Sequence, residues 1–454
     1  MKNIFNKIII FSALALVLSC SQDPIFFTIS TEPIPVKPRI QGGPTNMAVF
    51  EREYPDPDND NSTKKVSIMY VASGDLHWYA KAGTGAGNPG WDSSEYYIPQ
   101  PGGKVIGLAA TGDHLYALCI IGSGVTTVLR RIGPALDDAW RNVPIGPGVR
   151  YRLIQTIFTD KNRLFAGAMN NSGSDFGILY LAADNTDPSN PVSVLRQIIS
   201  DTEMLTGAAS LGNSHFLSTR GKGVYKVTKD DLDGGSVKSD VSPQLPELIR
   251  RKDDDGNDFM DDAGGNPNRM LMGMIQLNDN GPIIVIERSG GTFFEVREEG
   301  FTRIRYSSGG SVASGRFATG ALAVWRQVIR NDDGSPNYTD GRKMLIAGIQ
   351  GGLFSTTTSS SFSHGYIEIE LDSPLDFNEG WLVFNTINRS VSPNITVDGN
   401  TDRYTATIGK HPINHMYQAS SDVDANMTFF ASTQTAGLWS YRNRTGGLQW
   451  NAEN

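Results

Sequence analysis

The sequence predicts an all-β fold, a β-propeller of seven blades with four strands per blade. Three observations predict it. The 454 residues carry 49 Gly and 23 Pro with 39% hydrophobic residues, so apolar material is divided among many short segments bounded by turn-formers. A hairpin pattern, a β-rich run followed by a Gly-containing turn and an aliphatic-aromatic run, recurs seven times. A run of small residues precedes most of these hairpins, as inner strands crowded around an axis require.

The first element is a targeting leader over residues 1–19. Lys2 and Lys7 precede a largely apolar stretch from Ile8 to Leu18. As a helix it would reach only about 16 Å, half of a hydrocarbon core of about 30 Å, so it reads as a signal peptide rather than a permanent span. Its end, Val17-Leu18-Ser19-Cys20, resembles a bacterial lipobox, which implies that Cys20 is lipidated and that residues 1–19 are removed. Two acyl chains on Cys20 would keep the mature chain on a membrane. Ser21, in place of Asp, resembles lipoproteins sorted to the outer membrane. Residues 20–45 then form a flexible tether: Pro24, Pro33, Pro35, Pro38 and Pro44 favour extended backbone over a central strand.

The propeller domain is expected over 46–454. Its hairpins begin at Val66, His114, Arg163, His215, Pro282, Lys343 and Met427. Gly221-Lys222-Gly223-Val224-Tyr225, Gly351-Gly352-Leu353-Phe354 and Gly437-Leu438-Trp439 are the clearest Gly-aliphatic-aromatic turns. Inner strands are read at 47–51, 105–110, 205–209 and 319–324. Outer strands are read at 95–99, 140–145, 192–199, 301–307, 366–371 and 447–451. A lone four-stranded sheet exposes both faces; a radial arrangement buries each against its neighbour, with Trp439 expected in the last such interface.

These hairpins resemble the propeller repeats of extracytoplasmic regulator-type and assembly-factor-type families, including photosystem-assembly-type propellers. The resemblance implies a binding or scaffolding platform. In lipid anchor and architecture the chain is also similar to the propeller lipoprotein of the outer-membrane protein assembly machinery, without its tryptophan and glycine repeat signature.

Chemistry-bearing motifs are sparse, and no catalytic residue, metal ligand or cofactor is assigned. Lys+Arg 40 against Asp+Glu 48 gives a net charge of −8, which offers no general attraction to phosphate backbones, so no nucleic-acid partner is expected. Loss of Lys2 and Lys7 with the leader takes it to −10. Of the two Cys, Cys119 remains as a thiol in an apolar run and reads as buried. Sialidase Asp boxes are absent, and a lactonase-like cation cage is an alternative that one sequence does not reveal. His411 and His415 lie where an inner strand is read, not on a helix where that spacing would serve a metal. The acidic run Asp253 to Asp262 resembles a calcium-loop fragment, but Arg251 stands where the first ligand would be; Asp56, Asp58 and Asp60 lack the later bidentate carboxylate. Both read as solvated loops, with Asp253–Asn266 dispensable to folding. Trp78, Trp91, Trp140, Trp325, Trp381, Trp439 and Trp450 read as core between blades, or alternatively as sugar platforms. The expected function is a membrane-anchored protein-interaction scaffold in the cell envelope, the binding residues being unknown. A carbohydrate or small-ligand receptor is the alternative, and the insertions at 231–268, 331–341 and 372–410 are where a partner site is expected.

Overall fold

The computed structural model describes residues 46–452 except 57–61, 73–77, 83–100, 123–125, 136, 185–191, 236, 239–242, 253–257, 262–263, 278–280, 289–291, 304–315, 327–328, 331–335, 338–342, 352–365, 372–383, 390–394, 398–399, 403–412, 419–428, 434–436 and 445–446. The chain divides into two units, Met1–Lys37 and Pro38–Asn454, and the described residues all belong to the second. The leader, Cys20 and the tether lie outside the described residues.

Among the described residues the second unit is all-β apart from one short helix. Its first sheet is β1 (Asn46–Pro55), β2 (Thr63–Ala72) and β3 (Trp78–Ala82). The second is β4 (Lys104–Ala110), β5 (Leu115–Ile121), β6 (Thr126–Ile132) and β7 (Arg141–Asn142). The third is β8 (Tyr151–Asp160), β9 (Arg163–Asn170), β10 (Phe176–Asp184) and β11 (Val192–Thr202). The fourth is β12 (Leu205–Leu211), β13 (Ser214–Thr219) and β14 (Val224–Thr228), followed by helix α1 (Lys229–Gly234).

The fifth sheet begins with a hairpin of β15 (Glu247–Lys252) and β16 (Asp258–Asp261). It continues with β17 (Leu271–Gln276), β18 (Ile283–Glu287), β19 (Phe293–Val296) and β20 (Phe301–Arg303), and β15 joins β20 in parallel. In the sixth, β21 (Arg316–Arg326) pairs across the small hairpin of β22 (Ile329–Arg330) and β23 (Pro336–Asn337) with β24 (Lys343–Gly351). It ends in β25 (Tyr366–Leu371) and β26 (Phe384–Arg389), after which β27 (Ile395–Val397) and β28 (Asn400–Asp402) form another hairpin. The last sheet is β29 (Ile413–Gln418), β30 (Phe429–Thr433), β31 (Gly437–Arg444) and β32 (Gly447–Ala452).

This is a β-propeller arrangement, and the blade number corrects the expectation: five blades stand in place of seven. Five sheets contain the four-stranded meander, whereas the first and fourth have three strands each. The physical reason in the fourth sheet is local. Thr228 caps α1 through a reciprocal bond with Asp231, which turns the chain off the strand path where a fourth strand would begin. Pro243–Leu245 comes back to the β14 edge instead, through an isolated bridge between Tyr225 and Gln244. In the first sheet the expected outer strand at 95–99 lies outside the described residues.

The sixth sheet brings a second correction. Tyr366–Leu371, expected as the outer strand, is its third strand, and Phe384–Arg389 is its fourth; beyond Gly351 the turn expected at Gly351-Gly352-Leu353-Phe354 falls outside the described residues. The run at 258–261 is likewise a strand rather than a solvated loop. Gly265 packs so closely on Glu247 that an added Cβ would lie 2.5 Å from its carboxyl carbon, and removing Asp253–Asn266 would therefore strip an edge strand and unsettle β15.

Sheet faces are buried in series. Separate apolar clusters lie between the first and second sheets, around Tyr70 and Ala117; the second and third, around Leu118 and Leu164; the third and fourth, around Phe165 and Leu217; and the fourth and fifth, around Phe216 and Phe294. Another joins the first and last sheets through Met47, Met69, Val71, Phe430 and Leu438. Strand β13 is accordingly buried at every residue, as a strand with neighbours on both faces must be. A two-layer sandwich would leave one face of each sheet to solvent. Leu438 is fully buried while Trp439 is only half-buried, so the expected aromatic anchor of the last sheet is its aliphatic neighbour.

Inner strands share a local device. Register shifts occur at Val105/Gly107, Ile154/Thr156, Leu205/Gly207, Leu271/Gly273, Ala318/Leu322 and Ile413/His415. These are bulges, which sharpen strand twist and leave extra residues unpaired. Strand β1 pairs with β2 without a break from Asn46↔Ala72 to Pro55↔Thr63.

Candidate functional site

Among the described residues a cleft lies on the outer edge of the third sheet. Its volume is about 320 Å³, and it is lined by Gly146, Pro147, Gly148, Val149, Val194, Arg196, Gln197, Gly235 and Val237, a volume at the low end for a ligand site. Three chain segments build it. Strand β11 supplies the floor. One wall is the turn at Pro147-Gly148, where Gly148 has φ +75°; Pro presets one corner and Gly supplies the positive φ of the other. The opposite wall is the end of α1, which Gly235 terminates at φ +63°.

Both walls are fixed by hydrogen bonds. Tyr180 on β10 donates to the Leu232 carbonyl at 2.5 Å, and Leu232 is buried, which pins α1 to the third sheet. Lys238 pairs with Asp231 at 2.8 Å. Burial raises the Asp231 carboxyl, but Lys238 and the Thr228 cap outweigh it and hold the group below its ordinary value.

Beyond the turn, the Arg150 amide donates to Gln197 Oε1 at 3.3 Å, and its guanidinium pairs with Asp175 and with Asp201 at 3.2 Å. Asp201 holds a left-handed φ of 52°, unusual for a residue with a side chain. Its amide donates to Tyr151 Oη at 2.8 Å, and Tyr151 is fully buried. Burial pushes that phenol up, the Asp201 amide opposing it. The local strain is thus held by surrounding packing, as at pre-organised sites.

The sequence-read candidates fare variously. The start of the 231–268 insertion does reach the cleft, through Gly235 and Val237. The 372–383 and 403–410 parts of the last insertion lie outside the described residues. Segment 194–197 belongs to the outer strand expected at 192–199, and only its cleft-lining role is new; the Gly146-Pro147-Gly148 sequence after the outer strand at 140–145 is the signal that marks the turn beside it. His411 lies outside the described residues. His415 sits on the inner strand β29, and burial pushes its imidazole down to about 4. Among the described residues no three His, Cys, Asp or Glu side chains are grouped to hold a metal ion. Asp56 is tied to Ser62, with hydroxyl to carboxylate at 3.2 Å, while Asp58 and Asp60 lie outside the described residues. Trp140 packs on the cluster between the first two sheets.

A second polar pair joins two sheets. His215 Nδ1 on β13 meets Asp160 Oδ2 at the end of β8 at 2.5 Å, both residues being buried, with the imidazole 5.3 Å from the Phe165 ring. Its place in the interface between the third and fourth sheets marks it as a packing contact that ties β13 to β8.

Cys119 is fully buried, and burial pushes its thiol up to about 11, as expected of a packing residue. Native protein should therefore resist a maleimide at pH 8 and react only after unfolding; modification of Cys119 under native conditions at the rate of a free thiol would overturn this.

No family model matches the chain, and no curated protein matches it. Among solved structures, it is similar to the WD40 β-propeller domain of Doa1, at 9% identity over 92% of this chain and 96% of that chain, with a TM-score of 0.38. It is similar to YCF48 bound to D1 peptide, at 10% identity over 92% and 98%, TM-score 0.38. It is also similar to Sqt1 from Chaetomium thermophilum, at 12% identity over 91% and 85%, TM-score 0.41. The propeller assignment rests on the strand pairing and interleaved cores of this chain itself.

Proposed function

We propose that this chain is a lipid-anchored extracytoplasmic propeller that acts as a protein-interaction scaffold in the cell envelope. The observation that carries the scaffold reading is the cleft at the β11 edge, a pre-organised concavity on an otherwise packed blade. Its walls are two chain segments docked on one strand, which holds the cleft open without help from a ligand. Such surfaces favour binding over chemistry, because rigid walls lower the ordering cost of association. The anchor reading rests on Val17, Ser19 and Cys20 and on the charged, short apolar leader. Among the described residues no helix is long and apolar enough to cross a membrane.

Two measurements test the two halves of the proposal. Cys20→Ser is expected to move the protein from the membrane fraction to the soluble extracytoplasmic fraction; full retention on membranes after a high-salt wash would refute the anchor. A photo-crosslinking residue in place of Val237, which is 54% exposed, is expected to capture a discrete envelope protein in cells. The same substitution at exposed Ile121, 37% exposed on the second sheet, should not. Equal labelling from both positions would remove the cleft from the scaffold reading.

A further inference from the structure

Two arginines stand opposite each other on the second sheet. Arg131 on β6 is in register with Arg141 on β7 and, on its other side, with Tyr116 on β5. Directly opposed residues of an antiparallel pair share a face, with Cβ atoms about 4.5–5.5 Å apart, and like charges placed so repel. The adjacent pair, Arg130 and Asn142, belongs to the other face, where Arg130 Nε donates to Asn142 Oδ1 at 3.1 Å. Arg131 and Arg141 have no such relief. Among the described residues neither guanidinium takes part in an ion pair or a hydrogen bond.

The face they share is the one that meets the third sheet. Tyr116 belongs to the buried cluster between the second and third sheets, and so do Leu129 and Val143, two residues along from each arginine. Burial falls off along the row: Tyr116 is buried, Arg131 half-buried and Arg141 exposed. The pair therefore sits at the mouth of a seam with an apolar floor, where charge is screened less than on open surface. His114 lies beside the row, its ring centroid 5.9 Å from that of Tyr116. Burial first, and Arg131 second, hold its imidazole below the ordinary value, while Asp113 and Asp138 oppose them. Asp138 is itself engaged by the Ala135 amide at 3.2 Å.

We propose that Arg131 and Arg141 form a binding site for a phosphate monoester dianion. A carboxylate carries one charge and is matched by one guanidinium. Two opposed guanidiniums call for two charges on one compact group. A phosphate monoester brings close to two charges and three acceptor oxygens, enough to take hydrogen bonds from both forks and turn their repulsion into attraction. Soluble phosphate esters carry this dianion, and so does the lipid headgroup of phosphatidic acid. Neither arginine lines the β11 cleft, so the site goes beyond the scaffold reading.

The test uses the mature protein with inorganic phosphate at about pH 8, where the dianion dominates, followed by calorimetry and by NMR of the His114 imidazole. Binding is expected at or below about 1 mM. The His114 titration should move upward when phosphate is bound, because a dianion beside Arg131 cancels the effect of the cation. Arg131→Gln and Arg141→Gln should each weaken binding about tenfold or more, the scale of one lost charge-assisted hydrogen bond. Arg130→Gln is the control and should bind phosphate as the native protein does. Without phosphate, Arg141→Gln should melt no lower than the native protein, since it removes a repulsion; phosphate should raise the native midpoint and leave that of the variant unchanged. No binding at about 10 mM phosphate, equal weakening by Arg130→Gln and Arg141→Gln, or equal binding of acetate would overturn the proposal. Glycerol 3-phosphate and phosphatidylcholine vesicles containing phosphatidic acid separate the two sources. Retention on those vesicles that Arg141→Gln abolishes supports the headgroup, and binding of the soluble ester without retention supports a free phosphate. Equal retention on vesicles containing phosphatidylglycerol, a diester, would overturn the dianion.

Discussion

Phe294→Ala is expected to lower unfolding stability by about 3–5 kcal/mol, the range for emptying a buried phenyl site. The ring is fully buried in the cluster joining the fourth and fifth sheets, and it meets Phe301 edge-on at a centroid distance of 5.6 Å. Its other neighbour is charged. The Arg269 guanidinium lies 5.4 Å from the ring centroid while it binds Glu247 through two nitrogens at 2.8 and 3.0 Å and Glu287 at 3.0 Å. Removing the ring leaves that ion cluster beside a void, which adds loss of a cation–π contact to the cavity. Phe294→Leu keeps most of the volume and should cost about 1 kcal/mol. Urea denaturation of both variants checks this; an unchanged midpoint for the alanine variant would show that the fourth and fifth sheets do not depend on this contact.

Gly223→Ala is expected to cost about 3 kcal/mol or more through backbone strain and overpacking together. Gly223 has φ +64°, and a Cβ there would lie 2.0 Å from the Pro267 carbonyl oxygen. Nothing flexible stands in between. The glycine is tied at both ends, its carbonyl accepting from the Thr219 amide at 2.8 Å and its amide donating to Arg269 O at 3.2 Å. Gly122→Ala is the control, since Gly122 has φ +71° and, among the described residues, nothing within 4 Å of an added Cβ; it should show only the left-handed penalty of about 1 kcal/mol. Thermal melts that gave the two variants equal losses would mean the Pro267 segment moves aside freely.

Much of the architecture was legible because both signals are short-range. The Gly-rich turns at Gly221–Gly223 and Gly437 require left-handed backbone, and Thr219 and Thr433 each donate to the carbonyl of the glycine four residues on, at 3.1 and 3.0 Å. The small inner strands 105–110 and 205–209 were legible for the same local reason. Blade number was not, because completing a sheet depends on where the chain goes after its third strand. At Thr228 a helix cap and a strand continuation are both compatible with nearby residues, and the capping box decides. The order of the sixth sheet was not legible because an apolar run such as Tyr366–Leu371 reads as a strand without saying which neighbour it pairs with, and it pairs with both β24 and β26. The cleft was less legible still. It forms only when two segments far apart in the chain, Pro144–Gly146 and Lys238, reach one strand.

The recurring bulge of the inner strands makes this domain adaptable in a particular place. Each bulge leaves its extra residue outside the ladder, as at Ile106, Gln155, Thr206, Met272 and Asn414, and these five differ widely in size and polarity. Ladder bonds on either side do not depend on which side chain occupies the bulge. The demands on these positions come from packing instead: Thr206 is buried against the Ser218 hydroxyl at 3.0 Å and Ile106 packs on the core between the second and third sheets. Drift in the outer strands carries a different penalty, because side chains there are shared with the next core. Change in this framework is therefore easiest at the half-exposed bulge positions such as Gln155 and Met272, where neither the ladder nor a buried core fixes the side chain.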